Sequence, residues 1–557
     1  MKRFLCILLA ALTAFCISGC KTQTEGVFDK DNELSGFFKG YGEVADEGKT
    51  DAVYNGEDVE VSKIVTQNGK TFIEVEGKPF AYIGASIRTD AFMNCDLYTY
   101  EELEVLFKEA KELGVTCVQV PVEWKDMENE KDQWDFSYLH SILIFANRYD
   151  LKMELLWFGT NMVGDTHSNT VPDYILRDGK TYKKLDALRT GEYWNYYGLM
   201  WYLDFNDPDL MEREANAVKK MMDYVYQWDS EHGGKKPVIG VQVLNEADAF
   251  FRWRIDQYSV KDPLTGEIMS YEEGLKKVSE SLDYLGKAVK SCKYKVYTRT
   301  NLADSTGGSV YEGGLTGTEN VKNLPDFART FFDLEGIDIV GDDSYKDDIS
   351  VIKGIAYMYG QKTAGNFAHF AENDGSYSRT PQLILTAFSV GAGYSIYDLC
   401  TSPYYVDNRA SGSADDVDQG ILSSTDNRKV YDKKDHYEQT KAVIEALKTA
   451  GEAAVKAPME DFAAFGVKNN LQPVGGKYIQ SINTTSVTIE AEASETPLGY
   501  AIEFEGKLYI YMLQETSIRL SNSTFETPEF TAEAGKLYTL EFTEGAALQS
   551  TVWENIG

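Results

Sequence analysis

The stretch VIGVQVLNEADAF, Val238 to Phe250, decides how the central part of this chain folds. Its first residues are apolar without the alternation of a half-exposed strand, which predicts a strand buried on both faces, as in a parallel sheet. The apolar run stops at an amide and a carboxylate, Asn245 and Glu246. Because a buried strand is followed at once by a charged group, we expect that group to lie at the functional edge of a sheet.

Short apolar strands alternate with amphipathic helices from about residue 80 to residue 400. One helix is marked by Thr99 and Glu102, spaced as a capping box, and is ended by Gly114. Eight strands with helical crossovers predict an α/β fold, the (β/α)8 TIM barrel. An open doubly wound sheet is the alternative, but no glycine-rich phosphate loop follows the first strand. The predicted strands cover residues 80–87, 116–124, 152–159, 237–246, 294–300, 336–345, 366–374 and 391–399.

The chain has 557 residues, too many for one compact core, so we expect several domains. Residues 61–455 are assigned to the barrel and residues 21–60 to a polar tether. From about residue 460, strands of alternating polarity are separated by Gly, Asn and Pro, which predicts a C-terminal all-β, sandwich-like domain over 456–557. A ligand-binding role and a purely structural role for this domain both remain open.

The N-terminus, MKRFLCILLAALTAFCISGC, is typical of a signal peptide over residues 1–20. Its end, small residues followed by Cys20, resembles a bacterial lipobox, which implies that Cys20 is lipidated. A plain secretory signal with an incidental cysteine is the alternative. We therefore expect a cell-envelope lipoprotein, periplasmic or on the outer-membrane surface, that touches the membrane only through its N-terminal lipid anchor.

Composition narrows the possible partners. The formal net charge of −33 argues against binding to nucleic acid or to anionic membrane surfaces. The cysteines after Cys20 are scattered without metal-ligand spacing, and five histidines form no HExxH pair. We expect chemistry that needs no metal and no other cofactor, carried by carboxylates. The sequence does not indicate an oligomeric state.

Two carboxylates are placed where that chemistry would occur. Glu246 ends the fourth predicted strand and Glu372 ends the seventh, so both should face the mouth of the barrel. Retaining glycosidases use two carboxyl groups about 5–5.5 Å apart, one as acid and one as nucleophile. The pair therefore predicts a retaining glycosidase acting on a carbohydrate substrate. Other acids near strand ends compete for the nucleophile role: Asp342, Asp343, Asp398, Glu123 and Glu154.

Several motifs together resemble glycoside hydrolase clan A, and most closely its family 35 and 42 β-galactosidases and their Bacteroidetes lipoprotein relatives. The resemblance covers roughly residues 70–400, and Leu244 stands where family 35 commonly has Glu, which weakens the galactose assignment more than the hydrolase assignment. The motifs are the Asn-Glu pair at 245–246, EGKPFAYIGAS (76–86), VQVPVEW (118–124) followed by DFSYL, LLWFG (155–159) and VPDYIL (171–176).

The resemblance implies roles for the matching residues. Glu246 would be the acid/base, Glu372 the nucleophile, and Asn245 the partner of the sugar hydroxyl next to the anomeric carbon. Tyr345, at the end of the sixth strand, would donate to the nucleophile, and Arg88, after the first strand, would pair with Glu372 or a substrate hydroxyl. Trp157 on the third strand and Tyr397 on the eighth would stack on a sugar ring. Packing in the barrel core is the alternative for the last two.

Two other functions remain open from the sequence. One is a glycan-binding lipoprotein on a degenerate barrel that no longer hydrolyses its ligand. The other is an endo-acting clan A glycanase, because the long aromatic loop GEYWNYYGLMWYLDFN (191–206) is compatible with a closed pocket or an open cleft. The presence of both Glu246 and Glu372 favours an enzyme, since a binding protein has no need of both.

Overall fold

The computed structural model describes most of the chain from residue 41 onward. The predicted signal peptide with Cys20, the first half of the predicted tether (21–40) and most of the aromatic loop (191–200) lie outside the described residues. The structure describes residues 41–94, 96–162, 170–177, 181–182, 184–186, 201–262, 264–303, 326–345, 347–360, 366–403, 418–468, 470–541 and 554–555.

Eight parallel strands close into a barrel, which confirms the predicted fold. Every predicted strand overlaps an observed one, and each strand pairs with its two sequence neighbours. The circle closes where the last strand pairs with the first, through Ile396 and Ala85. The strands are β1 (Ile83–Ser86), β2 (Cys117–Glu123), β3 (Lys152–Met162), β4 (Val238–Asn245), β5 (Tyr297–Leu302), β6 (Ile339–Asp343), β7 (His369–Asp374) and β8 (Gly393–Tyr397).

At least one helix follows each barrel strand. The helix Tyr100–Leu113 begins at the predicted capping box, in which the Thr99 and Glu102 side chains each accept from the other's backbone, and ends at Gly114 with φ +93°. Within the described residues, no helix combines the length and apolarity that crossing a membrane would require. The helices are α1 (Tyr100–Leu113), α2 (Ser137–Arg148), α3 (Pro208–Glu231), α4 (Tyr271–Lys290), α5 (Asp326–Phe332), α6 (Ile349–Gly360), α7 (Thr380–Ser389) and α8 (Tyr437–Ala450).

An ion pair lies in the barrel interior. Arg299 on β5 donates from Nε to Oε1 of Glu154 on β3 at 2.6 Å, and both side chains are almost completely buried. The Tyr82 hydroxyl donates to the second oxygen of Glu154 at 2.5 Å. The Arg299 charge and the Tyr82 hydroxyl together compensate the buried negative charge of Glu154, so this carboxylate is part of the packed core.

The segment before the barrel packs on its outside. The Tyr41 hydroxyl donates to the Met93 carbonyl at 3.0 Å, and the Thr50 amide donates to the Glu231 carbonyl at 2.6 Å. The second half of the predicted tether, residues 41–60, therefore lies against the barrel. A three-stranded antiparallel sheet follows, formed by Ser62–Gln67, Lys70–Val75 and Lys78–Pro79.

The C-terminal part contains two antiparallel sheets that share a separate apolar core, as in a sandwich. The five-stranded sheet also packs against the barrel, since the Tyr500 hydroxyl donates to the Ala446 carbonyl of α8 at 2.8 Å. One sheet is formed by Phe462–Phe465, Gly499–Phe504, Lys507–Met512, Leu537–Glu541 and Glu554–Asn555, and the other by Tyr478–Asn483, Thr488–Ala493, Thr516–Ser521 and Phe530–Ala532.

Candidate active site

Glu246 follows β4 directly at the carboxyl end of the barrel. Every residue of the strand is buried, whereas Glu246 is half-buried. The backbone turns sharply here: Leu244 has φ +61° and Glu246 has φ +47°, the left-handed region that side chains other than glycine rarely adopt. Such strain persists only where the surroundings hold it, and it concentrates at functional sites.

Glu372 lies on β7, where 9% of the residue is exposed. The Tyr345 hydroxyl donates to its Oε2. Burial raises the pKa of Glu372 above its ordinary value, while this hydrogen bond and the positive charges of Arg88 and Arg299 offset part of the rise. The predicted contact between Tyr345 and Glu372 is therefore present in the geometry, and it favours the ionised carboxylate.

The carboxyl groups of Glu246 and Glu372 have one buried neighbour in common, Asp343. Asp343, the last residue of β6, pairs in register with Glu372 on β7. Burial raises the pKa of Asp343 well above its ordinary value, and the charges of Glu372 and Glu246 raise it further. The geometry agrees with this: Asn301 accepts the Glu246 N–H at 3.0 Å and donates to Asp343 Oδ2 at 2.6 Å. The ends of β4, β6 and β7 therefore meet in one polar cluster.

Arg88 and Tyr397 contact each other close to Glu372 and Tyr345. The Arg88 guanidinium donates to both carboxylate oxygens of Asp90, at 2.9 Å from Nε and 2.7 Å from Nη2. Its Nη1 donates to the Tyr397 hydroxyl. The Tyr397 ring meets the Tyr345 ring edge-on, with 5.6 Å between centroids. Arg88 is therefore held by Asp90 while its charge acts on Glu372.

Asn245 is fixed by two hydrogen bonds to its side-chain oxygen. Gln242 Nε2 donates at 3.0 Å and Asn301 Nδ2 donates at 2.9 Å. Because two donors meet the amide oxygen, the group that Asn245 can offer to a ligand hydroxyl is its NH2.

Trp157 is placed differently from the other predicted site residues. Its side chain is fully buried, and its ring packs against Trp124 with 6.4 Å between centroids. Its Nε1 donates to Glu214 Oε1 at 3.0 Å. A ring without an exposed face has no surface for a sugar, so the geometry favours core packing over the predicted stacking role. The periodicity of β3 could not show this, since burial depends on α3, which supplies Glu214.

Three of the competing acids, Glu154, Glu123 and Asp342, have other partners. Glu154 is ion-paired in the barrel interior, as described above. Glu123 at the end of β2 binds Lys125 Nζ at 2.7 Å, and Asp342 Oδ1 accepts from the Tyr359 hydroxyl at 3.1 Å. Asp398 is buried, and burial raises its pKa well above the ordinary value. Glu372 differs from these acids in combining a hydroxyl donor, a neighbouring guanidinium and the edge of the barrel mouth.

Sequence reasoning missed Asn301, which hydrogen-bonds to Asn245 and Glu246 at the end of β4 and to Asp343 at the end of β6. It is the penultimate residue of β5, whereas the predicted strand ended at residue 300. The available signal was a polar residue late in a buried strand, the same signal that identified Glu372. Among the described residues, no group of three or more His, Cys, Asp and Glu side chains is arranged to hold a metal ion.

Comparisons with known proteins give one family match. Residues 277–473 match a domain of unknown function, DUF4978. The match begins in α4, covers β5 to β8 with Glu372, and extends into the first strand of the C-terminal sheets. No curated protein sequence matches the chain.

Three solved structures show distant likeness. An exo-β-1,4-mannosidase, Op5Man5, from Opitutaceae bacterium strain TAV5 is 13% identical, with a TM-score of 0.44, over 70% of this chain and 63% of its own. A β-galactosidase from the psychrophilic Marinomonas ef1 is 12% identical, with a TM-score of 0.43, over 68% and 62%. A GH1 β-glucosidase from Exiguobacterium antarcticum B7 is 13% identical, with a TM-score of 0.40, over 66% and 98%. This chain thus spans less than two thirds of the length of the first two proteins.

Proposed function

We propose that this protein is a retaining β-glycosidase that hydrolyses oligo- or polysaccharides by double displacement. The observation that supports the proposal is that Glu246 and Glu372 adjoin one hydrogen-bonded cluster at the carboxyl end of the barrel. Asn301 binds both the Glu246 N–H and Asp343, and Asp343 pairs in register with Glu372. Active sites of this fold lie at that end of the barrel. Two carboxyl groups in different surroundings are the requirement for acid and nucleophile roles in one site.

Glu372 is proposed as the nucleophile. The Tyr345 hydroxyl and the nearby charges of Arg88 and Arg299 favour its ionised form, which is the form that attacks the anomeric carbon. Glu372 then forms a covalent bond to the sugar as the leaving oxygen departs. Formation of this ester removes the negative charge of Glu372, and the Tyr345 hydroxyl becomes available to the sugar.

Glu246 is proposed as the acid/base. As the carboxylic acid it gives its proton to the leaving oxygen in the first step. In the second step its carboxylate takes a proton from water, which attacks the anomeric carbon and releases Glu372. Asn245 would donate from its NH2 to the hydroxyl next to the anomeric carbon, a contact that strengthens as charge develops on the sugar. Arg88 and Tyr397 would line the sugar pocket next to Glu372.

β-Galactosides are the first substrates to test, because the sequence motifs resemble those of β-galactosidases most closely. We also propose that Cys20 carries a lipid and places the enzyme in the cell envelope. Labelling with an alkyne-tagged fatty acid tests this point separately, since Cys20→Ser should abolish labelling and detach the protein from membranes.

The function is tested with a panel of aryl β-galactosides, β-glucosides and β-mannosides. We expect hydrolysis of at least one, and proton NMR should show the first-formed sugar with the β configuration of the substrate. A 2-deoxy-2-fluoro analogue of the preferred sugar should label Glu372, which mass spectrometry of the digested protein locates. An α-configured first product contradicts the double displacement, and binding of oligosaccharides without hydrolysis favours the glycan-binding alternative.

A further inference from the structure

Asn301 uses every hydrogen-bonding group of its amide to join parts of the candidate site. Its two N–H groups donate to Asn245 Oδ1 at 2.9 Å and to Asp343 Oδ2 at 2.6 Å. Its oxygen accepts the backbone N–H of Glu246 at 3.0 Å. One side chain on β5 thus connects the end of β4 to the end of β6, and Asn301 is itself completely buried.

The bond to the Glu246 amide holds a strained backbone. Glu246 has φ +47°, an unfavourable conformation for a non-glycine residue that persists only where its surroundings enforce it. The hydrogen bond from the Glu246 N–H to Asn301 is a local contact that enforces it. Without that bond, we expect the turn after β4 to relax and the Glu246 carboxyl to move.

Asp343 forms the other end of this connection and lies beside Glu372. The two residues are register partners on β6 and β7. Asp343 is completely buried, and burial together with the charges of Glu372 and Glu246 favours its neutral form. A neutral carboxylic acid still accepts from Asn301 through its carbonyl oxygen, and it adds no further negative charge beside Glu372.

We infer that Asn301 and Asp343 form a positioning bridge that fixes Glu246 and Asn245 relative to Glu372. Neither residue needs to touch the substrate in this role. The inference rests on the proposed glycosidase function, and it identifies what sets the relative position of the acid/base and the nucleophile.

Breaking the bridge should impair proton donation more than nucleophilic attack. A misplacement of about 1 Å in an active site can cost about 10²-fold in rate. We therefore expect Asn301→Ala to lower kcat/KM about 10²-fold for a β-glycoside with an alkyl alcohol leaving group, which needs the proton of Glu246. For the 2,4-dinitrophenyl glycoside, whose leaving group departs without a proton, the loss should be about tenfold or less. Equal losses on both substrates would indicate a general packing defect and overturn the inference.

A double-mutant cycle tests whether the two residues act as one unit. Asp343→Ala should lose about as much activity as Asn301→Ala, and the double variant should lose no more than the worse single variant. Asp343→Asn should retain activity within about threefold, since its amide oxygen still accepts from Asn301. Additive losses, or an Asp343→Asn variant as impaired as Asp343→Ala, contradict the bridge.

Thr300→Val provides the matched control on the same strand. Thr300 is as buried as Asn301, precedes it on β5, and its hydroxyl makes no hydrogen bond within the described part of the chain. This variant should leave both kcat/KM values within about twofold of those of the unmodified protein. A loss like that of Asn301→Ala would show that any change at this end of β5 impairs the enzyme.

A crystal structure of Asn301→Ala decides the inference independently of activity. We expect the Glu246 backbone to leave its left-handed conformation and its carboxyl group to shift relative to Glu372. If the Glu246 backbone and carboxyl group do not move in the variant, the bridge is overturned, even where the unmodified protein is an active glycosidase. If the unmodified protein cleaves no glycoside on the panel, the proposed function fails, while this structure still tests whether Asn301 positions Glu246.

Discussion

Buried carboxyl groups at two places in the barrel differ in how their charge is balanced. In the interior, Glu154 is matched by Arg299 at 2.6 Å and by the Tyr82 hydroxyl at 2.5 Å. At the mouth, Asp343 and Glu372 pair in register, and Asp343 is hydrogen-bonded to a neutral amide, Asn301. The interior cluster balances its charge, whereas the mouth brings carboxyl groups together.

This difference matches the structural use of a carboxylate in the interior and the catalytic use proposed for the carboxyl groups at the mouth. A paired carboxylate contributes to the core, and removing one partner leaves a buried charge without compensation. Crowded carboxyl groups raise one another's pKa, which costs stability at neutral pH but prepares one group to hold a proton while another is ionised. Burial by itself does not distinguish the two clusters, but the balance of charge around each carboxyl group does.

The largest expected effect is at the mouth of the barrel. Glu372→Gln should reduce kcat on the order of 10⁴-fold, because the amide cannot attack the anomeric carbon. The melting temperature at pH 7–8 should not fall, since a carboxyl whose pKa is raised in the folded state weakens folding once pH exceeds the unfolded value. Circular dichroism and turnover assays measure both quantities. Normal turnover, or a large loss of stability, would place Glu372 in the structural class.

The reverse pattern is expected in the interior. Glu154→Gln leaves Arg299 buried without its counter-charge, so the free energy of unfolding should fall by about 3–5 kcal/mol. Urea denaturation followed by tryptophan fluorescence measures this change. The folded fraction should keep far more activity than Glu372→Gln. If Glu154→Gln were stable but inactive, the two clusters would have the same role and the comparison would fail.

Tyr345→Phe sharpens the comparison at the nucleophile. The variant removes the hydroxyl that donates to Glu372, so the pKa of Glu372 should rise further. Because the ionised form is the active one, the acidic limb of the kcat/KM profile should move to higher pH, by about one unit for a hydrogen bond of this type. Tyr359→Phe is the control, since its hydroxyl donates to Asp342 instead. A limb that stays in place, or moves to lower pH, rules out the proposed support of Glu372.

The smallest effect is expected at Trp157. Trp157→Phe removes the hydrogen bond to Glu214 and should lower the free energy of unfolding by about 1–2 kcal/mol. KM should not change, because the buried ring presents no face to a substrate. A higher KM at unchanged stability would return Trp157 to the sugar site and extend that site into the interior.

Much of the fold could be read from local patterns. Runs of strand length between helical stretches predicted all eight barrel strands, and most of these runs are apolar because a parallel strand is buried on both faces. The buried but polar β5 is the exception. The box formed by Thr99 and Glu102 and the glycine at 114 fixed both ends of α1, since capping depends only on neighbouring residues. Glu246 was selected because it directly follows a buried strand, and Glu372 because it lies near the end of one, although β7 continues to Asp374.

The remaining features depend on distant partners. Asn301 became visible only when β4, β5 and β6 were side by side, and Trp157 was assigned to the core only when Glu214 on α3 was in contact with it. Residues 41–60 are polar, as a tether would be, yet they pack on the barrel through Tyr41 and through backbone hydrogen bonds. Composition shows that a segment is polar, but not which surface it meets.

The docking of this segment limits how far the body of the protein can stand from a bilayer. Twenty residues separate Cys20 from Tyr41, the first described residue. Fully extended, they span at most about 70 Å. If Cys20 carries a lipid as proposed, Tyr41 stays within about 70 Å of the membrane surface. The barrel, which packs against Tyr41, would then act on polymers close to the membrane.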